Sequence, residues 1–359
     1  MFKRKLTMAL SAAALAAAVT ACGSSSGGSV TASNAANTSS DPHLPTVSLM
    51  VGGIDKQIYM PYQLAQNLGF YKKYGVNVQL STEQNGGVGA EEAMASGQVD
   101  MAGAWYVHTI DFQQKGKAIV DVVQLSGAPG EREMCATGSG VNSPAQWKGK
   151  TVGVTDIGSG TDNLTVYLAA HNHLTTKDFS RAAVGASSTF VAALQHNRIV
   201  CGMTSQPTAG AVQTKGVGYS AINLASTAGA QKWLGGVYPA AGVLAQASWV
   251  NSHQATVQKV VDALVATMHW IHTHSAAQIA SAMPADFVNN GLTTKASYAA
   301  ELAADKGQFL PDGMMPASGP PTALAIDKFV GNVTKPVNIA ATYTNQYATA
   351  ANKLEGYTK

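Results

Sequence analysis

The sequence predicts an α/β protein of two lobes followed by a helical C-terminal region. Short apolar and β-branched runs alternate with helical segments between residues 47 and 125, and the alternation begins again at residue 151. Strands that alternate with helices favour right-handed crossovers and parallel sheets, so two such series in succession indicate two α/β lobes. Beyond residue 248 the strand pattern stops and helical segments follow one another.

The first series contains four predicted strands and three predicted helices. VSLMV at residues 47–51 is an apolar strand, and residues 59–74 then carry apolar side chains at helical spacing until Gly75 ends the helix. The other strands are predicted at residues 76–80, 99–102 and 119–125, and the other helices at residues 91–96 and 105–114.

The second series repeats this pattern and leads into the helical region. Its strands are predicted at residues 151–155, 181–184 and 199–204, with helices at residues 162–171 and 191–196. The C-terminal helices are predicted at residues 256–274, 276–282, 295–305, 322–329 and 342–354.

The first 45 residues predict export and a flexible connection. Three basic residues precede an uncharged, alanine-rich run of about 14 residues, which is shorter than the roughly 20 residues of a membrane span. The run ends in Val-Thr-Ala-Cys, which resembles a bacterial lipobox with valine where leucine is usual. We therefore expect a lipoprotein signal peptide at residues 1–21 with lipidation of Cys22, the alternative being a signal that is not lipidated. Residues 22–45, rich in Ser, Gly, Asn and Ala, predict a flexible tether.

Charge and cysteine content limit the classes of function. The chain has 23 Lys and Arg against 20 Asp and Glu, and three of the basic residues lie in the predicted signal, so the remainder is formally neutral. This balance argues against a nucleic-acid partner. Cys135 and Cys201 remain once Cys22 is lipidated. Outside the cytoplasm such a pair can form a disulfide, and two buried free thiols are the alternative.

Three segments in order carry a resemblance to a known family. They read IYMPYQLAQNLGFYKKYGVNVQL from residue 58, EEAMASGQVDMAG from residue 91 and SPAQWKGKTVGVTDIGSGTDNL from residue 143. The set resembles the nitrate/sulfonate/taurine-type substrate-binding proteins of ABC importers, over roughly residues 47–250. The resemblance implies the type II periplasmic-binding-protein fold, in which two lobes are joined by hinge strands.

The resemblance also implies a domain arrangement. The chain would leave the first lobe near residue 130 and return near residue 240. Lobe one would then comprise residues 46–132 and 241–359, and lobe two residues 133–240. In this topology the strand that carries Cys135 could lie beside the strand that carries Cys201.

The expected function follows from the same resemblance. We expect an extracytoplasmic, lipid-anchored monomer that binds a small molecule between its lobes, uses no cofactor, and delivers the ligand to ABC permease subunits with a cytoplasmic ATPase. The ligand would be a small organic or anionic nutrient of the sulfonate, taurine, nitrate or nitrogen-heterocycle class. An enzyme like the thiamine-pyrimidine synthases and a ligand sensor are the alternatives on the same fold.

Candidate ligand contacts in lobe one follow from where strands end. Ligands of open parallel sheets bind beyond the carboxyl ends of the strands, where loops also open helix N-termini. Glycines there permit close backbone approach, while an aromatic pair suits a ring or a quaternary amine, although it could equally pack between helix and sheet. The candidates are Gly53, Asp55, Gln57, Tyr59, Gly86, Gly87, Trp105 and Tyr106.

Lobe two contributes a turn that opens a predicted helix. Ser159, Gly160 and Thr161 could hold a carboxylate, sulfonate or nitrate, or the hydroxyls could simply cap the helix. Gln206 lies in a polar turn before a proline, where the resembled family often has an acidic residue in the preceding strand; this chain has Cys201 there.

The sign of the ligand charge stays open at this stage. Arg132, at the expected first hinge crossing, could pair with an anionic ligand, or with its flanking glutamates or Asp55. Asp55, Glu83 and Asp162 near the same cleft favour a neutral or cationic nitrogenous ligand instead.

Sequence motifs give little support to catalysis. No G-x-S-x-G elbow, complete dinucleotide fingerprint or P-loop is present. His269, His272 and His274 are spaced so that they do not share one helix face, which argues against a metal site. We therefore expect a binding protein that performs no covalent chemistry.

Overall fold

The computed structural model describes residues 41–83 and 87–357, which contain two five-stranded sheets flanked by helices. Sheet one is built from β1 (Thr46–Gly52), β2 (Asn77–Glu83), β3 (Met101–Trp105), β4 (Ile119–Gln124) and β10 (Ala241–Gln246). Sheet two is built from β5 (Glu131–Ala136), β6 (Thr151–Val154), β7 (Ser180–Ala183), β8 (Cys201–Ser205) and β9 (Gly218–Asn223).

Fifteen α-helices lie within the described residues. They are α1 (Met60–Asn67), α2 (Phe70–Lys73), α3 (Val88–Ser96), α4 (Val107–Gln114), α5 (Gly160–His171), α6 (Ser187–Gln195), α7 (Thr208–Thr214), α8 (Thr227–Leu234), α9 (Ala247–Ser252), α10 (Gln254–Thr273), α11 (Ala276–Ala282), α12 (Ala285–Val288), α13 (Lys295–Asp305), α14 (Gly319–Phe329) and α15 (Gln346–Leu354). Short 3₁₀ turns occupy Gln57–Tyr59, Pro144–Trp147, Lys306–Gln308 and Ile339–Ala341.

Each sheet is mixed, where the sequence predicted parallel sheets. The strand orders are β2-β1-β3-β10-β4 and β7-β6-β8-β5-β9. In sheet one only β10 runs antiparallel to its neighbours, and in sheet two β5 runs antiparallel to β8 and β9. These two strands, β5 and β10, are the ones at which the chain passes from one sheet to the other. β5 follows β4 with no helix between them, whereas β10 follows β9 after helix α8.

The two-lobed architecture with a helical C-terminal region is therefore confirmed. The strands of sheet two all lie between β4 and β10, as the predicted lobe two requires. The exact lobe boundaries remain a prediction. Glu131 and Arg132, placed at the end of lobe one by sequence, are the first residues of β5 and therefore belong to sheet two.

Several element bounds differ from the sequence prediction. The single helix expected at residues 59–74 is two helices, because Gly69 between α1 and α2 adopts a left-handed conformation with φ of 73°. Trp105 is the last residue of β3, so the following helix begins at Val107 and not at Trp105. The sequence prediction contained no elements for α7, β9 and α8.

The long helix α10 is the centre of the C-terminal region. It packs against α1, α2, β4 and α15, and eleven of its twenty residues are buried. Helices α10 and α15 thus pack against β4 of sheet one. No helix in the described part of the chain is long and apolar enough to cross a membrane.

A disulfide joins the adjacent strands β5 and β8 of sheet two. Cys135 on β5 and Cys201 on β8 are directly opposed in the strand register, with Cα atoms 3.9 Å apart, and their sulfur atoms are bonded. Both residues are fully buried. The bond fixes the register of the first crossing strand against β8.

Candidate functional site

A small cavity lies where the strand ends of the two sheets face each other. Its volume is about 10 Å³, which is room for roughly one water molecule. A ligand larger than this enters only if the walls move apart. The lining residues are Lys56, Tyr59, Glu91, Trp105, His108, Glu131, Thr155, Gly160 and Thr161.

Trp105 and Gly160 lie against each other across the cavity. Trp105 ends β3 in sheet one, and Gly160 begins α5, which follows β6 of sheet two. A Cβ atom on Gly160 would lie 2.6 Å from Cζ3 of Trp105 and closer still to Cε3, so only glycine allows this approach. Tyr238 supports the indole from behind in an edge-on contact with ring centroids 6.0 Å apart.

The hydroxyl groups of the second wall form a closed network. Thr155 donates its backbone N–H to Thr161 Oγ1 at 3.0 Å, and the Thr155 and Thr161 hydroxyls are 2.8 Å apart. Ser159 Oγ lies 2.9 Å from Thr161 Oγ1 and accepts the backbone N–H of Asp162 at 3.3 Å. Ser159 therefore caps α5, which is the alternative that the sequence left open, and Thr161 faces the cavity.

A buried histidine lies between two carboxylates on the first wall. His108 Nε2 is 3.3 Å from Glu91 Oε1, and His108 Nδ1 is 3.0 Å from Asp111 Oδ2. Burial opposes the charged imidazolium, but Glu91 and Asp111 outweigh it and raise the pKa of His108 to about 9. Burial raises the pKa of Glu91 to about 8, against the opposing effect of His108.

Glu131 and Lys56 complete the charged lining. Lys56 Nζ donates to the backbone oxygen of Gly52 at 2.9 Å and lies 5.7 Å from the ring centroid of Tyr59. Glu131 is only 3% exposed, and burial raises its pKa to about 7, although Lys56 and Arg132 lower it. Burial and the nearby carboxylates also raise the pKa of Tyr59 well above its usual range, so this side chain is a neutral phenol.

Gln57 and Gln206 connect the walls through the backbone and do not line the cavity. The Gln57 N–H donates to the Gln206 carbonyl at 2.9 Å, while Gln57 Nε2 donates to the Tyr298 carbonyl at 2.9 Å. Gln206 Oε1 accepts the backbone N–H of Gly210 at 2.8 Å. The amide nitrogen of Gln57 and the amide oxygen of Gln206 are thus bonded within the protein, while Gln57 Oε1 is buried without a partner among the described residues.

The remaining loop candidates lie around the cavity. Asp55 accepts a hydrogen bond from Ser187 Oγ at 3.1 Å, which is a second link between the walls. Gly53 has a φ of 88° and lies against the Lys56 side chain. Gly87 precedes α3, and its N–H donates to Glu83 Oε1 at 2.7 Å. Gly86 and the predicted lipidation residue Cys22 lie outside the described residues.

Tyr106 packs in the protein core. Its hydroxyl is 2.6 Å from Thr342 Oγ1, and its ring meets Tyr343 edge-on, so it binds the C-terminal region to α4. Of the aromatic pair, only Trp105 lines the cavity.

Arg132 forms a buried ion pair with the C-terminal region. Its two terminal nitrogens donate to the two carboxylate oxygens of Asp305, each at 2.6 Å. This partner is neither a flanking glutamate nor Asp55, and the guanidinium does not line the cavity. A bidentate pair of this kind fixes the orientation of both side chains.

The sequence of this chain matches one family over most of the folded region. Residues 57–277 match the profile of the family described as NMT1/THI5 like. The chain belongs to this family. No curated protein sequence matches it significantly.

Several solved structures share the fold of the NMT1/THI5-like chain. A protein from Bordetella bronchiseptica RB50 has 27% identity and a TM-score of 0.81, covering 87% of this chain and 98% of its own. The alkanesulfonate-binding protein SsuA from Xanthomonas axonopodis pv. citri has 16% identity and a TM-score of 0.68, with coverages of 83% and 98%. The nitrate-binding protein NrtA from Synechocystis PCC 6803 has 15% identity and a TM-score of 0.69, with coverages of 88% and 90%. The resemblance seen in the sequence is thereby confirmed.

Sequence reasoning missed five residues that line the cavity of this NMT1/THI5-like protein: Lys56, Glu91, His108, Glu131 and Thr155. Glu91 and His108 lie in the first turns of α3 and α4. A polar side chain in the first turn of a helix that follows a sheet strand is a signal that could have identified both.

The C-terminal histidines have ordinary structural partners. His269 stacks on Tyr357 and His274 stacks on Trp270, while His272 Nε2 lies 2.9 Å from the Phe309 carbonyl. Among residues 41–83 and 87–357, no group of three or more His, Cys, Asp or Glu is arranged to hold a metal ion.

The buried acids predict that the NMT1/THI5-like protein loses stability as the pH rises. Glu131 and Glu91 keep their protons to about pH 7 and 8 when folded, and His108 to about pH 9, all above their values in an unfolded chain. The folded state therefore binds more protons, and the stability that these three groups contribute is fully present below about pH 4.5 and is lost between about pH 4.5 and pH 9. Urea denaturation at pH 5, 7 and 9 should show this decrease. A Glu131→Gln variant should show a shallower decrease, and constant or rising stability would contradict the assignment.

Proposed function

We propose that this protein is the extracytoplasmic solute-binding component of an ABC importer. The observation that carries the proposal is the cavity whose walls come from both sheets, with Trp105 against Gly160. The family assignment and the fold shared with sulfonate- and nitrate-binding proteins support it. The ligand would be a small organic or anionic solute.

The mechanism is a clamp that closes by bending and performs no covalent chemistry. The chain passes between the sheets only around β5 and β10, so these crossings are the hinge. An open form would admit the ligand, and contacts from both walls would stabilise the closed form by their higher affinity for it. We retain Tyr59, Trp105, Gly160 and Thr161 as ligand contacts.

The proposal includes attachment and delivery. Lipidation of Cys22 would hold the protein at the outer face of the cytoplasmic membrane, with residues 22–45 as the tether. The ABC permease would recognise the two lobes in their closed arrangement and receive the ligand. We propose that the protein acts as a monomer at this step.

A ligand screen by thermal shift tests the function. Residues 46–359 would be mixed with nitrate, alkyl sulfonates, taurine, aromatic carboxylates, pyrimidines, amines and amidines. A ligand at 100 times its dissociation constant adds about 2.7 kcal/mol of stability, which raises the melting temperature by several degrees. A responder that is recovered chemically unchanged supports a binding protein. Conversion of the responder into a product would support the pyrimidine-synthase type of enzyme, and no response would contradict the proposal.

Replacement of Trp105 by alanine should weaken binding of that responder. Trp105 is 5% exposed and supplies the largest apolar surface of the cavity, so its removal should lower affinity at least about ten-fold. Isothermal titration measures the loss. Trp249→Ala is the matched control because Trp249 stacks on His253 in α9, away from the cavity. Unchanged affinity with lowered stability would show that Trp105 is only a core residue.

A further inference from the structure

We infer that Glu131, together with Glu91, selects a small ligand that carries positive charge and donates N–H groups, such as an amidinium or a protonated amine. This inference rests on the proposed binding function and names the class of ligand. It differs from the anions in the names of the sulfonate- and nitrate-binding structures. Four observations lead to it.

The cations around the cavity already have partners within the protein. Lys56 Nζ donates to Gly52, and His108 has a carboxylate at each ring nitrogen. The Arg132 guanidinium is held by both oxygens of Asp305. Within the described residues, each cation of the cavity lining therefore already has at least one protein partner.

One acceptor of the cavity lining, in contrast, lacks a partner within the described residues. Glu131 is 97% buried, and its Oε2 atom has no hydrogen-bond partner among the described residues. Both carboxylate oxygens of Glu133, two residues further along β5, are also buried without a partner. A buried acceptor without a donor is costly, and a ligand that brings N–H groups to Glu131 removes that cost.

Glu91 lies on the opposite wall from Glu131. It belongs to α3 beside sheet one, whereas Glu131 begins β5 of sheet two. Both groups keep their protons to about pH 7 and 8 in the ligand-free protein, and Glu91 Oε1 already lies 3.3 Å from His108 Nε2. A cation between them would favour their charged forms, and a ligand that contacts both would connect the walls when the cleft closes. This arrangement couples recognition of the charge to closure, which a single carboxylate would not do.

The aromatic side chains favour the same charge. Tyr59 and Trp105 line the cavity with their rings, and the face of an aromatic ring attracts cations. A lysine ammonium already lies 5.7 Å from the centroid of the Tyr59 ring. A planar cation such as an amidinium could stack on the indole while its N–H groups meet the carboxylates.

Matched probes of opposite charge test the inference. Acetamidinium and acetate have the same shape, as do benzamidinium and benzoate, so each pair isolates the effect of charge. Isothermal titration against residues 46–359 should show the amidinium of a pair binding at least about ten-fold more tightly than its carboxylate. Tighter binding of acetate, benzoate or ethanesulfonate than of the amidinium probes would overturn the inference.

Variants identify the residues responsible. Glu131→Gln keeps the shape but removes the charge, and should weaken amidinium binding at least about ten-fold. Glu91→Gln should also weaken it and provides a second test should the first variant fold poorly. Glu92→Gln is the control, because Glu92 follows Glu91 on α3 but is exposed, and its affinity should stay within two-fold. Unchanged affinity in both Glu131→Gln and Glu91→Gln would overturn the assignment of these residues.

The outcomes separate this inference from the proposed function. If only anions from the ligand screen stabilise the protein, the binding function stands and the inferred ligand class is wrong. If no member of either set binds, the proposed function itself fails.

Discussion

Replacement of Arg132 by methionine should lower the free energy of unfolding by about 3–5 kcal/mol. Arg132 and Asp305 are 8% and 2% exposed, and their bidentate pair joins the first strand of sheet two to the end of α13. Removal of the guanidinium would leave the Asp305 carboxylate buried without its cation, and this uncompensated charge is the main cause of the loss. Urea denaturation of the ligand-free protein measures it.

A double variant distinguishes the cost of leaving one buried charge unpaired from the cost of losing the whole ion pair. Arg132→Met with Asp305→Leu replaces both charges by apolar side chains, so the double variant should regain most of the stability that Arg132→Met loses. The sequence analysis raised the competing role of Arg132 as an anion partner. If Arg132→Met weakens ligand binding while stability stays unchanged, that role is correct and the structural role is wrong.

Replacement of Gly160 by alanine should weaken ligand binding about 100-fold or more. The added methyl group would occupy space that the Trp105 ring fills, so the two walls could no longer approach in the closed arrangement. The contact is absent in the proposed open form, and we therefore expect a small change in the melting temperature of the ligand-free protein. Affinity for the strongest responder, measured by isothermal titration, is the readout.

The cause of the Gly160 effect can be checked in two ways. Gly307→Ala is the matched control, because no atom lies within 4 Å of a Cβ atom placed on Gly307. In a Trp105→Ala background the ring is absent, so Gly160→Ala should cost little further affinity. If the two substitutions are instead additive, the contact between Gly160 and the indole is not what limits closure.

The two-lobed architecture was predictable from the sequence because it depends on local patterns that occur in a fixed order along the chain. Alternating strands and helices, and the segments around Gly69, Gly97 and Gly149, were sufficient for two lobes and a helical C-terminal region. The direction of β5 and β10 was not predictable from such patterns, because a strand has the same periodicity whichever way it runs. Strand β9 and its flanking helices were missed because the region from residue 208 to residue 234 is rich in Gly, Ala, Ser and Thr, which give weak periodic signals.

The candidate site was predictable only in part. Tyr59, Trp105, Gly160 and Thr161 follow strands and were found from that position, and all four line the cavity. Whether an Arg or a Glu faces the ligand depends on its partners, and those are distant in sequence. Asp305 is 173 residues away from Arg132, so nothing near Arg132 in the chain indicates that its charge is already matched.

The position of β10 in sheet one determines when each half of the protein can complete its sheet. All strands of sheet two lie in one continuous stretch, and its disulfide joins residues only 66 apart in sequence. In sheet one, β10 separates β3 from β4, and Gln124 bonds to Ala241 across 117 residues. Closing so long a loop is slow and costs chain entropy. A chain that emerges N-terminus first would therefore carry β3 and β4 as open sheet edges, prone to pairing with other chains, until β10 arrives to fill the gap.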